Sequence, residues 1–155
     1  MRPRNYQGFL SLPKVCCLGL GLLLAHSLIG QGQAAVKEVL QEAYLDGVYN
    51  ERVERNVRLG FSESFTAYYW DKTSQSLRQE NFGTWIATVQ RQPGFYGKAP
   101  ADGKSYRMKI IQNEVGTDMA QVHLLLYQGK EVLGTRYITL FRFPEGWKIT
   151  VLVAR

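Results

Sequence analysis

Three long segments near the end of the chain constrain its fold more than anything before them. Ala120 to Tyr127, Thr135 to Phe143 and Trp147 to Val153 have strand length and apolar character. The turn-rich stretches Gln128-Gly129-Lys130-Glu131 and Pro144-Glu145-Gly146 lie between them. Links this short join antiparallel neighbours, because a parallel crossover needs a dozen residues or more. Ser105 to Val115 adds a fourth strand, set off by Glu114-Val115-Gly116-Thr117-Asp118. An antiparallel meander is expected.

The preceding residues read as helices. Val36, Val39, Leu40, Ala43, Tyr44 and Gly47 recur at helical spacing, with Lys37, Glu38, Gln41, Glu42 and Asp46 on the opposite face. Val53 and Val57 predict a second, short helix closed by Gly60. Phe65 to Trp70 reads as a strand and Asp71 to Ser76 as a polar turn. Phe82, Trp85, Ile86 and Val89 then predict a third helix ended by Pro93-Gly94. Gln92 to Lys104 holds two prolines and three glycines and is expected to be a long connection. Helices first and strands later give an α+β domain, with N-terminal helices packed on a curved antiparallel sheet.

The first residues have a different composition. A basic stretch with Arg2, Arg4 and Lys14 leads into the apolar run Val15 to Ala25, followed by the small and polar Gly30-Gln31-Gly32-Gln33-Ala34. This is the layout of a secretory signal, expected to be cleaved after residue 34 to leave a domain over 35–155. The run is shorter than the ~20 apolar residues of a membrane-spanning helix. The expected location is therefore periplasmic or extracellular, with no stable membrane anchor after cleavage. Both cysteines, Cys16 and Cys17, fall in this segment. The residues that remain thus have neither a thiolate metal site nor a disulfide. The chain carries a net charge of +6, and half of it also lies in this segment. The +3 that remains is a weak footprint for nucleic acid, which is not expected as a partner.

The stretch Ala35-Val36-Lys37-Glu38-Val39-Leu40-Gln41-Glu42-Ala43-Tyr44-Leu45-Asp46-Gly47-Val48-Tyr49-Asn50 resembles the opening of a lumazine-binding family within the nuclear transport factor 2-like superfamily. So do Gly60-Phe61, Thr84-Trp85-Ile86 and the closing Arg136 to Ile149. The resemblance implies a cone-shaped α+β domain whose open end takes a small molecule. It departs from the pattern at Arg136, where relatives usually place an acidic residue, which puts any ligand contact through that carboxylate in doubt. Because one scaffold hosts isomerases, dehydratases, binding modules and assembly domains, the resemblance does not assign an activity.

Tyr44 and Trp85, on the apolar faces of helices expected to cover the sheet, are candidate ligand contacts, together with Tyr137 and His123. The expected ligand is a small aromatic or partly polar molecule, bound without catalytic chemistry, cofactor or metal. His123 is the only histidine after residue 35 and is the catalytic candidate of the alternative reading, a cofactor-independent isomerase or dehydratase using it as a proton-transfer base. All 13 carboxylates fall on predicted helix exteriors, strand ends or turns, so a carboxylate base inside the cone is not expected. Alternation groups Tyr137, Thr139 and Phe141 on one face of their strand and Arg136, Ile138 and Leu140 on the other, without saying which faces inward. Because both faces are partly apolar, a homodimer through the sheet is expected, and a pure interaction module is the third reading.

Overall fold

The computed structural model describes residues 30–90 and 105–155. Helix α1 covers residues 30–50. It is α-helical over 30–39 and π-wound from Leu40 to Asn50. Helix α2 (Glu54–Gly60), strand β1 (Phe61–Asp71), strand β2 (Ser76–Asn81) and helix α3 (Phe82–Gln90) follow, then β3 (Tyr106–Val115), β4 (Met119–Gln128), β5 (Glu131–Phe143) and β6 (Gly146–Ala154). The expected domain boundary at 34/35 falls within α1. Residues 1–29, the bulk of the expected signal segment, and the whole of the expected loop over 92–104 lie outside the described residues.

The six strands form one sheet in the order β2-β1-β6-β5-β4-β3. The meander β3–β6 is antiparallel throughout, as expected from its short links. The sheet as a whole is mixed, because β1 lies parallel to β6. Register shifts interrupt the β1/β6, β3/β4, β4/β5 and β5/β6 ladders. Such irregularities bend strands and increase twist, which curves the sheet around the helices.

Strand β2 begins at Ser76, the last residue of the predicted turn, and occupies the stretch before α3 that was not read as a strand. Its sequence Ser-Leu-Arg-Gln-Glu-Asn has no apolar alternation, because it is an edge strand exposed along most of its length. The turn before it forms as read. Asp71 Oδ1 accepts the backbone N–H groups of Thr73 at 2.9 Å and Ser74 at 3.4 Å. Asn81 ends β2 and caps α3, its Oδ1 accepting from the Thr84 N–H at 2.9 Å.

The core lies between α1 and the concave face of the sheet. Val36, Leu40, Tyr44 and Val48 are fully buried against a floor that includes Leu124, Leu126, Ile138, Leu140 and Ile149. Each such aliphatic side chain contributes about 1.5–3 kcal/mol by leaving water. Alternation along β5 is thereby settled: Ile138 and Leu140 face the helices, so Arg136 shares the concave side, while Tyr137 and Phe141 point outward.

Candidate functional site

The π-winding of α1 determines what its tyrosines can do. In an α-helix, residues five apart lie about 140° from each other. In an i→i+5 winding they stack. Tyr44 and Tyr49 are accordingly neighbours, with hydroxyls 3.4 Å apart and rings meeting edge-on at 5.3 Å. The same spacing lets Gln41 donate to Asp46 at 2.8 Å, and the Asp46 carbonyl accepts from the N–H of Glu51 at 2.9 Å. Tyr49 continues the aromatic wall to Tyr106 on β3, ring to ring at 5.0 Å. Asn50 fixes that strand by accepting from the Tyr106 N–H at 2.7 Å and donating to its carbonyl at 3.2 Å.

Tyr44 is fully buried, and burial raises its phenol well above the usual tyrosine range. Tyr49 adds to the rise, and the nearby Arg136 guanidinium opposes it. Tyr44 therefore stays a neutral hydroxyl at any physiological pH. Across the concave face, directly opposed residues put Arg136 beside Ala154 and Ala154 beside Tyr69. The Tyr69 hydroxyl donates to Glu80, which stands opposite the core-facing Ala67. Glu80 thus places a carboxylate on the concave side, contrary to the expectation that none would be found there. That expectation failed because residues 77–81 were not read as a strand. Burial and then Glu80 raise the Tyr69 phenol.

The four predicted contact residues do not share one site. Tyr44 belongs to the tyrosine cluster just described. Trp85 lies in a separate aromatic knot, 5.1 Å from Phe61 and 4.9 Å from Phe65, and is only 6% exposed. His123 and Tyr137 are cross-strand partners on the outer face, stacked at 4.6 Å and 15°. The sheet separates them from Tyr44. The proton-transfer base of the alternative reading therefore faces away from the concave side. Arg136 was grouped with Ile138 and Leu140 by alternation but not singled out as a contact. Tyr106, Asn50 and Tyr69 became neighbours of this region only through tertiary structure.

A second concavity, of about 820 Å³, opens at the other end of α1. Ala35, Val39, Ala43, Gly60 and Trp147 supply its apolar lining, and its charged groups, Glu38, Glu42, Arg142 and Glu145, all stand exposed at the rim. None of the predicted contact residues lines it.

This arrangement of helices on a curved, unclosed sheet is similar to that of solved structures. A protein of unknown function from Shewanella baltica, described as NTF2-like, superposes with a TM-score of 0.63 over 81% of this chain and 93% of its own, at 16% identity. The fold is NTF2-like. A second NTF2-like protein of unknown function, from Silicibacter pomeroyi, gives a TM-score of 0.65 over 81% and 96% at 15% identity. A candidate scytalone dehydratase from Novosphingobium aromaticivorans gives 0.60 over 84% and 87% at 16% identity. No protein-family profile and no curated protein matches the sequence. At these identities the NTF2-like label describes the scaffold and leaves the activity to be argued from the site.

Proposed function

We propose that the protein is an exported, homodimeric small-molecule-binding protein without catalytic chemistry, whose ligand lies on the concave face against the Tyr44–Tyr49–Tyr106 wall. The observation that carries this reading is the fully buried Tyr44 hydroxyl, which has a second phenol and a guanidinium as its polar neighbours. A packed core has no use for three polar groups converging at one spot, whereas a flat, partly polar ligand is oriented by them. The 820 Å³ concavity offers apolar area but no buried polar group of this kind.

Export is supported by the signal-like layout of residues 1–34. Dimerisation is supported by the outer face of the sheet, where Trp70, Leu77, Met119, Tyr137 and Phe141 are each 41–61% exposed. Apolar surface spread over a whole sheet face marks an interaction surface, and a face offered by one chain is offered identically by its copy.

Native mass spectrometry of the protein recovered from an exporting host tests these points together. The expected spectrum is a dimer lacking residues 1–34 and carrying an adduct of defined mass that Tyr44→Phe loses or holds at least fivefold more weakly. That variant removes one hydroxyl whose contact is long, so its stability stays within about 1 kcal/mol. A clean dimer without adduct refutes binding and supports the interaction-module reading. A clean monomer refutes the sheet-face dimer as well.

A further inference from the structure

The concavity of about 820 Å³ beside the first half of α1 has two unlike walls over an apolar floor of Val39, Ala43, Gly60 and Val115. On the α1 side stand Glu38 and Glu42, four residues apart. Among the described residues, neither carboxylate has a hydrogen-bond or ion-pair partner. Like charges at this spacing weaken a helix, so the pair works against α1 and is relieved by a cation placed beside it. The sheet side holds Arg142 on β5 and Glu145, whose carboxylate is already engaged by Lys148 at 2.7 Å.

Trp147 of β6, directly opposite Arg142 in the ladder, lines the same groove. It is only 7% exposed, and among the described residues its indole N–H has no acceptor. A largely buried tryptophan ordinarily finds a partner for this group. The nitrogen is not sealed off from solvent, and the concavity that its side chain lines is this one. The donor is therefore open to whatever enters the groove. An apolar floor with a few convergent polar groups is the usual make-up of a small-molecule site, and 820 Å³ lies within the ordinary range of such sites. The groups present select the chemistry: carboxylates take an ammonium, the floor takes an apolar body, and the indole N–H takes an oxygen acceptor.

We infer that this groove is a second binding site, for a small organic amine with an apolar body and a carbonyl group, its ammonium at Glu38 and Glu42 and its carbonyl on the Trp147 N–H. The site goes beyond the concave-face reading above and does not depend on it. Glu38, Glu42 and Trp147 all lie after residue 34, so the expected cleavage leaves them in place.

The test titrates the full-length protein with phenylalanyl-leucine amide, which carries an ammonium, an apolar body and carbonyls, and with its N-acetyl derivative, in which the amine is neutral. Calorimetry gives the affinities. A proton–nitrogen correlation spectrum follows the indole N–H signals of the three tryptophans, that of Trp147 being assigned by its loss in Trp147→Phe. The free amine is expected to bind about three- to tenfold more tightly than the acetylated peptide, the gap that two exposed carboxylates supply, and to shift the Trp147 signal. Glu38→Gln combined with Glu42→Gln is expected to erase that gap, with the fold kept because both side chains are exposed. Equal affinity of the two peptides for the wild-type protein overturns the ammonium assignment, and this comparison needs no variant to fold. A preference that survives the double substitution, or binding that leaves the Trp147 signal unmoved, puts the amine elsewhere and also overturns the inference. Failure of both peptides to bind overturns it outright and leaves the concave-face reading, judged by its Tyr44-dependent adduct, standing.

Discussion

Gly60, at the junction of α2 and β1, tests whether α1 is positioned by close steric contact. A Cβ built there would fall on the methyl of Ala43, well inside the ~3.5 Å at which carbon atoms begin to repel, with Val39 Cγ1 at 3.5 Å beyond it. Gly60 is not among the positive-φ glycines, so the backbone itself accepts alanine. Gly60→Ala would then gain about 0.4–1 kcal/mol through the unfolded chain. Against this, Ala43 has no side-chain torsion to turn away, so the overlap must be relieved by moving one helix off the other. The upper part of the ordinary overpacking range applies, about 3 kcal/mol. A net loss of about 2 kcal/mol is expected, or roughly 8 °C in thermal midpoint for a domain of this size. Ala43→Gly alone should cost a similar amount, about 1 kcal/mol in helix propensity and about 0.8 for the buried methyl. In the double variant the methyl has only changed sides. It should be no less stable than either single variant, so the two changes couple favourably by about 2 kcal/mol or more. Urea denaturation of all four proteins measures this. Additivity within 0.5 kcal/mol would refute the steric argument and mean that α2 adjusts freely against α1.

Other outcomes follow from the same structure. Asp71 is held below the usual carboxylate range, first by the Thr73 N–H and then by Ser74, with Arg78 contributing. A lowered folded-state value gives stability that is present above about pH 4 and is lost as the pH falls through that lowered value. Asp71→Asn should therefore flatten the acid limb of a melting-temperature profile below about pH 4, and an unchanged limb would exclude this turn as a contributor. Tyr137→Glu places a charge at the centre of the outer sheet face and should convert the proposed dimer to a monomer by light scattering, with the fold intact because the side chain is already 43% exposed. A dimer that persists would move the interface elsewhere.

Much of the fold was legible because periodicity is a local signal. The alternation of Val122, Leu124 and Leu126, and of Ile138 and Leu140, gave the last strands to within a few residues, and the spacing of Val36 to Tyr44 gave the first helix. What was not legible depended on partners distant in sequence. β2 has one apolar residue because it lies at an edge, and nothing local records that β1 joins β6 in parallel. The π-winding was equally silent: an α-helical reading places Tyr44 and Tyr49 on different faces, and only the wider turn brings them together. Alternation grouped Tyr137 with Phe141, but both faces of their strand are partly apolar, so the pattern could not say which side the helices cover. The same ambiguity hid Arg136, whose charge reads as surface until Ile138 and Leu140 are seen to be core.

The parallel seam between β1 and β6 also orders events in time. Strand β6 lies inside the sheet, yet it is the last of the six strands to be synthesised. Until residue 154 has left the ribosome, the growing chain holds two fragments, a β1–β2 hairpin with its helices and a β3–β4–β5 meander, and no strand to bridge them. Neither half closes a core alone, so α1 finds its full floor only once β6 has been made. The slow step is then the long-range zipping of one strand between two waiting edges, as expected of a topology rich in distant contacts. A nascent chain stalled before residue 146 should be protease-sensitive, and one long enough to free β6 from the ribosome should become resistant in a single step.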